Sequence, residues 1–330
     1  SKTSADRTQM PMPCPSMTPA DIAMAYGSPG FLEENLATGC ALDREPTPPH
    51  VADLLDVAYE GRQAWIGVPL ASTPSEDTRA NRSGTTLTYG EVHQDGLTKL
   101  LGPRGLDIEG RGSKCLLELG SGRGRLALQA FLQYPGLRTV VAVELVSARH
   151  RAASIATKRL RDAGGEGRFA LFAAAPDDDA ARIGEKRLHS ESVYSGEAAL
   201  VRLSEGAGPE SRRCELRLGD LAALPSDDLA LAEAVLLEVV MPPGPGRAEA
   251  HMQLCRKLAE HCRHGCVLAS YEDLHSLWRA LGPDAPPCPF HKLELCPSGY
   301  ATSWSITGHC FHGFRCDREV PPSLAPGAWL

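Results

Sequence analysis

The residues with the clearest chemical meaning lie in one short segment, residues 115–126, which reads CLLELGSGRGRL. An apolar, strand-like run contains Glu118, and Gly120, Gly122 and Gly124 then follow at alternate positions before a helix-like stretch. Glycine permits a tight turn and lets a ligand approach the backbone, because no Cβ stands in the way. The helix N-terminus adds free N–H groups and a partial positive charge. The segment therefore predicts a cofactor-binding loop rather than a simple turn.

Two classes of cofactor use such a loop, and the residue after the last glycine separates them. A dinucleotide-binding loop needs a small residue three positions after its second glycine, and Arg125 stands there. Three glycines at alternate positions, preceded two residues earlier by an acid, are instead typical of S-adenosylmethionine-dependent methyltransferases. S-adenosylmethionine is therefore the expected cofactor, with Ser121 among the loop residues that bind it.

Two further acids follow predicted strands and complete an ordered set of three motifs. Glu144 ends the run Val140–Glu144, and an acid at this position can accept hydrogen bonds from both hydroxyls of a ribose. Asp220, in the sequence LGDL, fits an acid near an adenine amine. A turn-capping role explains Asp220 equally well, so the prediction depends on the set rather than on any one member.

Alternating strands and helices position these motifs. The sequence predicts strands at 114–119, 139–144, 214–218, 233–240, 266–271, 291–296 and 302–315, and helices at 124–133, 147–163, 246–263 and 273–281. Such alternation predicts an α/β fold with a doubly wound, mostly parallel, seven-stranded sheet. The last two strands, joined through residues 297–299, are expected to form an antiparallel hairpin.

The chain divides into a leader and one larger domain. Residues 1–88 read as a partly helical leader with helices at 18–26 and 51–65, whereas residues 71–86 read as a polar loop. Residues 89–330 form the predicted methyltransferase-like domain, interrupted by an insertion at 164–213. The insertion contains the acidic run Asp177–Asp179 and two possible short strands, 169–175 and 198–203.

Composition excludes several classes of protein. The 330 residues include 34 Lys and Arg against 41 Asp and Glu, for a net charge of -7, which argues against direct nucleic-acid binding. No apolar run approaches the ~20 residues that span a bilayer. Scattered cysteines inside apolar strands favour a reducing, intracellular compartment, and nucleus, cytoplasm and organelle matrix all stay open.

Histidines and cysteines crowd residues 251–266 and 309–316, but neither group predicts a metal site. Zinc needs four convergent ligands, and the first group has no Cys-x-x-Cys pair. The second group lies on a predicted strand, where alternation sends neighbours to opposite faces.

Residues 87–92 read LTYGEV, about thirty residues before the glycine loop, and residues 302–308 read TSWSITG. Together with the loop and Leu128-Gln129, they resemble the non-SET, disruptor-of-telomeric-silencing (Dot-like) histone-lysine methyltransferases. The resemblance covers about residues 85–316 without the insertion, and it implies a Rossmann-like class I methyltransferase fold. It also implies a direct, in-line methyl transfer, in which positioning and exclusion of water carry the rate.

The resemblance assigns roles to individual residues. It implies that Tyr89 and Glu91 lie on a loop that closes over the methionine end of the cofactor, and that Trp304 helps to wall a lysine channel. The residues that it implies line the cofactor are Glu118, Gly120, Gly122 and Gly124, with Glu144 on the ribose.

The chain departs from the family where the amine should bind. Val239 and Val240 stand in place of paired asparagines, so Glu238 is the remaining polar group at that strand end and the candidate acceptor. Arg125 replaces a glutamine, and the basic segment that grips nucleosomal DNA is absent from this acidic chain. Two functions stay open: a protein (lysine) methyltransferase of undetermined target, or a catalytically silent methyltransferase-fold subunit of a large assembly, organellar or otherwise.

Overall fold

The computed structural model describes residues 45–60, 72–82, 91–165, 167–174, 199–239, 247–279, 287–295, 299–302 and 305–318. Several predicted features lie outside these described residues, namely the helix at 18–26, Tyr89, Asp177–Asp179, Val240 and Trp304.

The described strands are β1 (Cys115–Leu119), β2 (Thr139–Glu144), β3 (Phe169–Ala174), β4 (Leu200–Glu205), β5 (Arg212–Leu218), β6 (Ala234–Leu237), β7 (Val267–Ser270), β8 (Phe290–Leu293), β9 (Tyr300–Thr302), β10 (Ser305–His309) and β11 (His312–Cys316). Nine of them form one sheet in the order β3-β4-β5-β2-β1-β6-β7-β11-β8. Strands β5, β2, β1, β6 and β7 run parallel, and β11 runs antiparallel between β7 and β8. This is the Rossmann-like class I methyltransferase architecture, and it confirms the predicted fold class.

The sheet has two more strands than the seven predicted. Both come from the segment predicted as an insertion, where β3 pairs antiparallel with β4, and β4 pairs antiparallel with β5. Alternate residues of β4, Val201 and Leu203, are fully buried, so one face of these strands belongs to the core and holds them in the sheet.

The predicted C-terminal hairpin is only partly right. Strand β8 does pair antiparallel with β11, with Gly313 opposite Leu293. However, the predicted strand 302–315 breaks into two, because β10 pairs with β9 in a separate two-stranded sheet. The chain leaves that small sheet at Cys310 and enters the large one at His312.

The described helices are α1 (Pro49–Ala58), α2 (Pro74–Arg82), α3 (Gln94–Leu101), α4 (Arg125–Gln133), α5 (Ser147–Ala163), α6 (Ser226–Leu231), α7 (Arg247–His261) and α8 (Leu274–Arg279). The polar loop expected at 71–86 is wrong, because α2 lies there. Thr73 and Glu76 form a capping box at its start: the Glu76 carboxylate accepts the Thr73 N–H, and the Thr73 hydroxyl accepts the Glu76 N–H. Such reciprocal hydrogen bonds stabilise the start of a helix even when the helix has no apolar stripe.

Apolar side chains pack on both faces of the sheet. On one face, Leu55 of α1, Leu97 of α3 and Phe131 of α4 belong to a single buried cluster. On the other face, Leu229 of α6 and Leu258 of α7 belong to a second cluster. No helix among the described residues is both long and apolar enough to span a bilayer.

Gly124 fixes how closely α4 approaches its neighbours. Its φ is +70°, in the left-handed region, and a Cβ there would lie 3.1 Å from the Cβ of Ala153 in α5 and 3.1 Å from Cδ2 of Leu216 in β5. A side chain at this position therefore meets both backbone strain and a crowded interface.

We expect Gly124→Ala to lower the free energy of unfolding by about 2–4 kcal/mol, from strain plus overpacking. Gly112→Ala is the matched control, because φ is +66° there and nothing lies within 4 Å of the added Cβ. The control should cost only the strain, about 1–2 kcal/mol. Urea unfolding measures both, and equal losses would contradict the close packing at Gly124.

Candidate functional site

The glycine loop between β1 and α4 is tied to both neighbouring strands. The backbone N–H groups of Gly120 and Ser121 donate to the Val143 carbonyl of β2, at 2.9 and 3.0 Å. Gly120 has a φ of +88°, and a Cβ there would lie 3.0 Å from the carbonyl oxygen of Glu238. Because β2 and β6 flank β1, the loop is held from both sides.

A cleft opens beside this loop, at the carboxyl ends of β1 and β6. Its lining residues are Glu91, Glu118, Gly120, Ser121, Gly122, Arg125, Leu126 and Glu238. The chain order reverses between β1 and β6, and such switch points are where open α/β sheets bind ligands. The structure therefore brings Glu91, Glu118, the loop and Glu238, all predicted from the sequence, into one place.

Two carboxyl groups meet in the cleft. Glu118 is fully buried, and its carboxyl group makes no well-formed hydrogen bond among the described residues, although the Ala127 N–H lies near it. Oε1 of Glu238 is likewise buried without a well-formed hydrogen bond among these residues. Buried carboxyls without good hydrogen bonds are costly when charged, so this environment favours the neutral, protonated form of the pair.

Burial and neighbouring negative charges raise the pKa values of both carboxyl groups. Burial, followed by the charge of Glu238, raises the pKa of Glu118 well above its usual range, although the Ala127 N–H at the start of α4 opposes the shift. Burial, followed by the charge of Glu91, raises the pKa of Glu238 to about 8. The cleft therefore holds protons at neutral pH that a bound cation would displace.

Glu144 braces the glycine loop from the end of β2. Its Oε2 accepts the Gly122 N–H at 2.7 Å, and its Oε1 accepts the Val146 N–H at 2.8 Å. Burial raises the pKa of Glu144, while Arg149, whose guanidinium lies 3.9 Å from Oε1, and the two N–H groups oppose that shift. The carboxylate predicted to hold a ribose thus also sets the loop conformation.

Asp220 lies apart from the cleft lining. Its charge acts on the Lys257 ammonium of α7: burial lowers the pKa of Lys257, and the charge of Asp220 opposes that shift. The turn that carries Asp220 is nevertheless tied to the site, because the Gly219 N–H donates to the Glu144 carbonyl at 2.9 Å.

Glu91 makes ion pairs across the glycine loop. Its carboxylate lies 3.0 Å from Nε of Arg123 and 3.6 Å from the guanidinium of Arg125. On the outer side, the Tyr59 hydroxyl donates to the Arg123 carbonyl at 2.8 Å. Sequence reasoning missed Tyr59, which directly follows α1, because no local pattern connects it with a loop sixty residues away.

Tyr271 is a second residue that the sequence did not reveal. Burial and the charges of Glu238 and Glu118 raise its pKa well above the usual range. The side chain packs against Phe311 and His309, with ring centroids 4.8 and 5.1 Å apart. Its position directly after β7, at the same sheet edge as the cleft, is the signal that would have found it. No cluster of His, Cys, Asp and Glu suited to a metal exists among the described residues.

No protein-family model matches the sequence, and no curated protein matches it. Among solved structures, the chain is similar to cofactor-bound Rv0187 from MTB, at 14% identity over 84% of this chain and 100% of that one, with a TM-score of 0.37. It is similar to the rRNA methyltransferase aviRa from Streptomyces viridochromogenes, at 14% identity over 75% and 88%, with a TM-score of 0.35.

A third similar structure is Trm1 from Pyrococcus horikoshii in complex with S-adenosyl-L-methionine, at 11% identity and a TM-score of 0.30. The match covers 61% of this chain and only 37% of Trm1. Arguments about function therefore rest on the residues of the site.

The raised pKa of Glu238 makes stability depend on pH. The unfolded chain loses this proton near pH 4.5 and the folded chain near pH 8, so stability falls as pH rises between those values. We expect Glu238→Gln to remove a fall of about 1–3 kcal/mol between pH 5 and 8. Urea unfolding at both pH values measures it, with exposed Glu294→Gln as the control. A wild-type slope retained in Glu238→Gln would contradict the raised pKa.

Proposed function

We propose that this chain binds S-adenosylmethionine in the cleft and transfers its methyl group to an amine of a protein, with lysine as the acceptor side chain. The observation that carries the proposal is the glycine loop, held between β2 and β6 beside the buried pair Glu118 and Glu238. The Dot-like motifs at Glu91 and in the loop support the lysine acceptor.

The residues of the cleft fit the charges of this cofactor. S-adenosylmethionine carries two positive groups, an ammonium and a sulfonium. Both oxygens of Glu118 and Oε1 of Glu238 make no well-formed hydrogen bond among the described residues, so they could face these positive groups. It also carries one carboxylate, and the buried guanidinium of Arg125 lines the same cleft. Glu144, whose Oε2 accepts the Gly122 N–H of the loop, is the acid that would accept hydrogen bonds from the ribose hydroxyls.

When bound, the cofactor supplies a methyl group on a sulfonium, an electrophile that a neutral amine can attack directly. A cation in the cleft would favour the ionised form of Glu238, and Oε1 of that carboxylate is the acceptor that would take the proton of an incoming ammonium. Tyr271 lies close enough to Glu238 and Glu118 for their charges to raise its pKa, and an aromatic ring at this sheet edge would help to limit water at that step. Positioning and desolvation, rather than covalent catalysis, would carry the rate.

A second candidate, a silent subunit of an assembly, has one specific observation in its favour. Among the described lining residues of the cleft, no side chain carries an amide. Val239, where the resemblance implies an asparagine, is buried, and its Cγ1 lies 3.0 Å from the place of a Cβ on Gly120. Its apolar side chain cannot orient an amine. In this alternative the cleft binds the cofactor, or another ligand with similar charged groups, and no methyl transfer follows.

We expect Glu144→Ala to weaken S-adenosylmethionine binding by about 1–3 kcal/mol, roughly 5- to 150-fold, because ribose hydrogen bonds to a charged group are lost. Calorimetric titration measures this, and Glu60→Ala, an exposed surface substitution, is the control that should bind normally. Undiminished affinity in Glu144→Ala would contradict the ribose assignment. Absence of wild-type binding at millimolar cofactor would refute the proposal.

Methyl transfer separates the two candidates. The assay uses radiolabelled S-adenosylmethionine with source-cell lysate, and we expect a labelled non-histone protein whose hydrolysate contains methyl-lysine. We expect little label on nucleosomes, because a chain with a net charge of -7 is repelled by DNA. Glu238→Ala should abolish the label. Strong nucleosome labelling would restore the family's full function, whereas cofactor binding with no labelled protein would favour the silent subunit.

A further inference from the structure

Glu76 is a fully buried carboxylate that joins two helices. It lies in the first turn of α2, where its Oε2 accepts the Thr73 N–H at 2.6 Å. Its Oε1 leaves α2 and accepts two bonds from Ser147 at the start of α5, one from the N–H and one from the hydroxyl, both at 2.9 Å. One side chain therefore caps two helix N-termini, where negative charge is stabilised.

The start of α5 is the segment that holds Glu144. Oε1 of Glu144 accepts the Val146 N–H, and Glu76 accepts the next N–H along the chain, that of Ser147. Val146, at the N-cap of α5, has no side-chain cap of its own. Two carboxylates thus share the free N–H groups at this helix end, and each limits where the other can lie.

We infer that Glu76 is a positioning residue for the ribose site, an inference that rests on the cofactor proposal above. By fixing the turn at 145–147, Glu76 holds the Glu144 carboxylate where its Oε2 reaches the Gly122 N–H of the glycine loop. Glu76 does not line the cleft, so it acts on the cofactor only through Glu144. Glu76, outside the predicted methyltransferase-like domain, is thereby linked to the binding site, whereas the exposed residues of α2 are not.

A double-mutant cycle isolates this role from general stability. S-adenosylhomocysteine is the probe, since it carries the same adenosine and is not turned over. We expect Glu76→Gln to weaken its binding about tenfold, because one charged acceptor is lost at the helix start. In a Glu144→Gln background the same substitution should weaken binding less than about twofold, because coupled residues are not additive.

Asp77→Asn is the matched control. It removes the same charge from the same helix turn, but Asp77 is exposed, and its carboxylate accepts a hydrogen bond from the nearby Ser72 hydroxyl rather than from α5. We expect it to bind the probe as the wild type does. If Glu76→Gln does not fold, Ser147→Ala removes only the hydroxyl donor and should weaken binding about two- to threefold.

The failures of the two proposals are distinguishable. A wild-type chain that does not bind S-adenosylhomocysteine would refute the cofactor proposal itself. Wild-type binding with an unaffected Glu76→Gln, or with equal losses in both Glu144 backgrounds, would overturn the positioning role and leave the cofactor proposal intact.

Discussion

The pair of carboxyl groups of Glu118 and Glu238 is the constraint on which the rest of the site depends. They lie near the ends of adjacent parallel strands, in a cleft where charge is poorly solvated. Both oxygens of Glu118 and Oε1 of Glu238 make no well-formed hydrogen bond among the described residues. Burial of two like groups disfavours ionisation of both. Ionising such a pair carries a free-energy cost that a cationic ligand would relieve, and both carboxyl groups line the cleft beside the glycine loop.

The surrounding contacts hold the loop rigid around that pair. Gly120 is tied to Val143 of β2, and the Gly122 N–H is held by Glu144. The segment before the domain contributes as well, through the bond from Tyr59 to Arg123 and the cap from Glu76 to Ser147. Two residues of the segment predicted as a leader, Tyr59 and Glu76, are therefore connected by hydrogen bonds to the glycine loop and to the start of α5.

The sequence predicted the β1-α4-β2-α5 unit almost to the residue, because apolar runs and alternating glycines are local signals. It missed α2, which is strongly polar and depends on the capping box at Thr73 and on a distant partner at Ser147. The cleft residues Glu118 and Glu238 were found as strand-end acids, yet their mutual approach follows only from the pairing of β1 with β6. Contacts between distant segments, such as Tyr59 with the loop, have no local signature.

The most direct test of the account is the number of protons released when the wild-type chain binds S-adenosylmethionine at pH 7. Calorimetry in buffers with different ionisation enthalpies counts them. The raised pKa of Glu238, about 8, means that a bound cation should displace about one proton, and that Glu238→Gln should release distinctly fewer. Tight binding with no proton release from the wild type would show that the carboxyl pair does not receive the cation, and it would contradict the account at its centre.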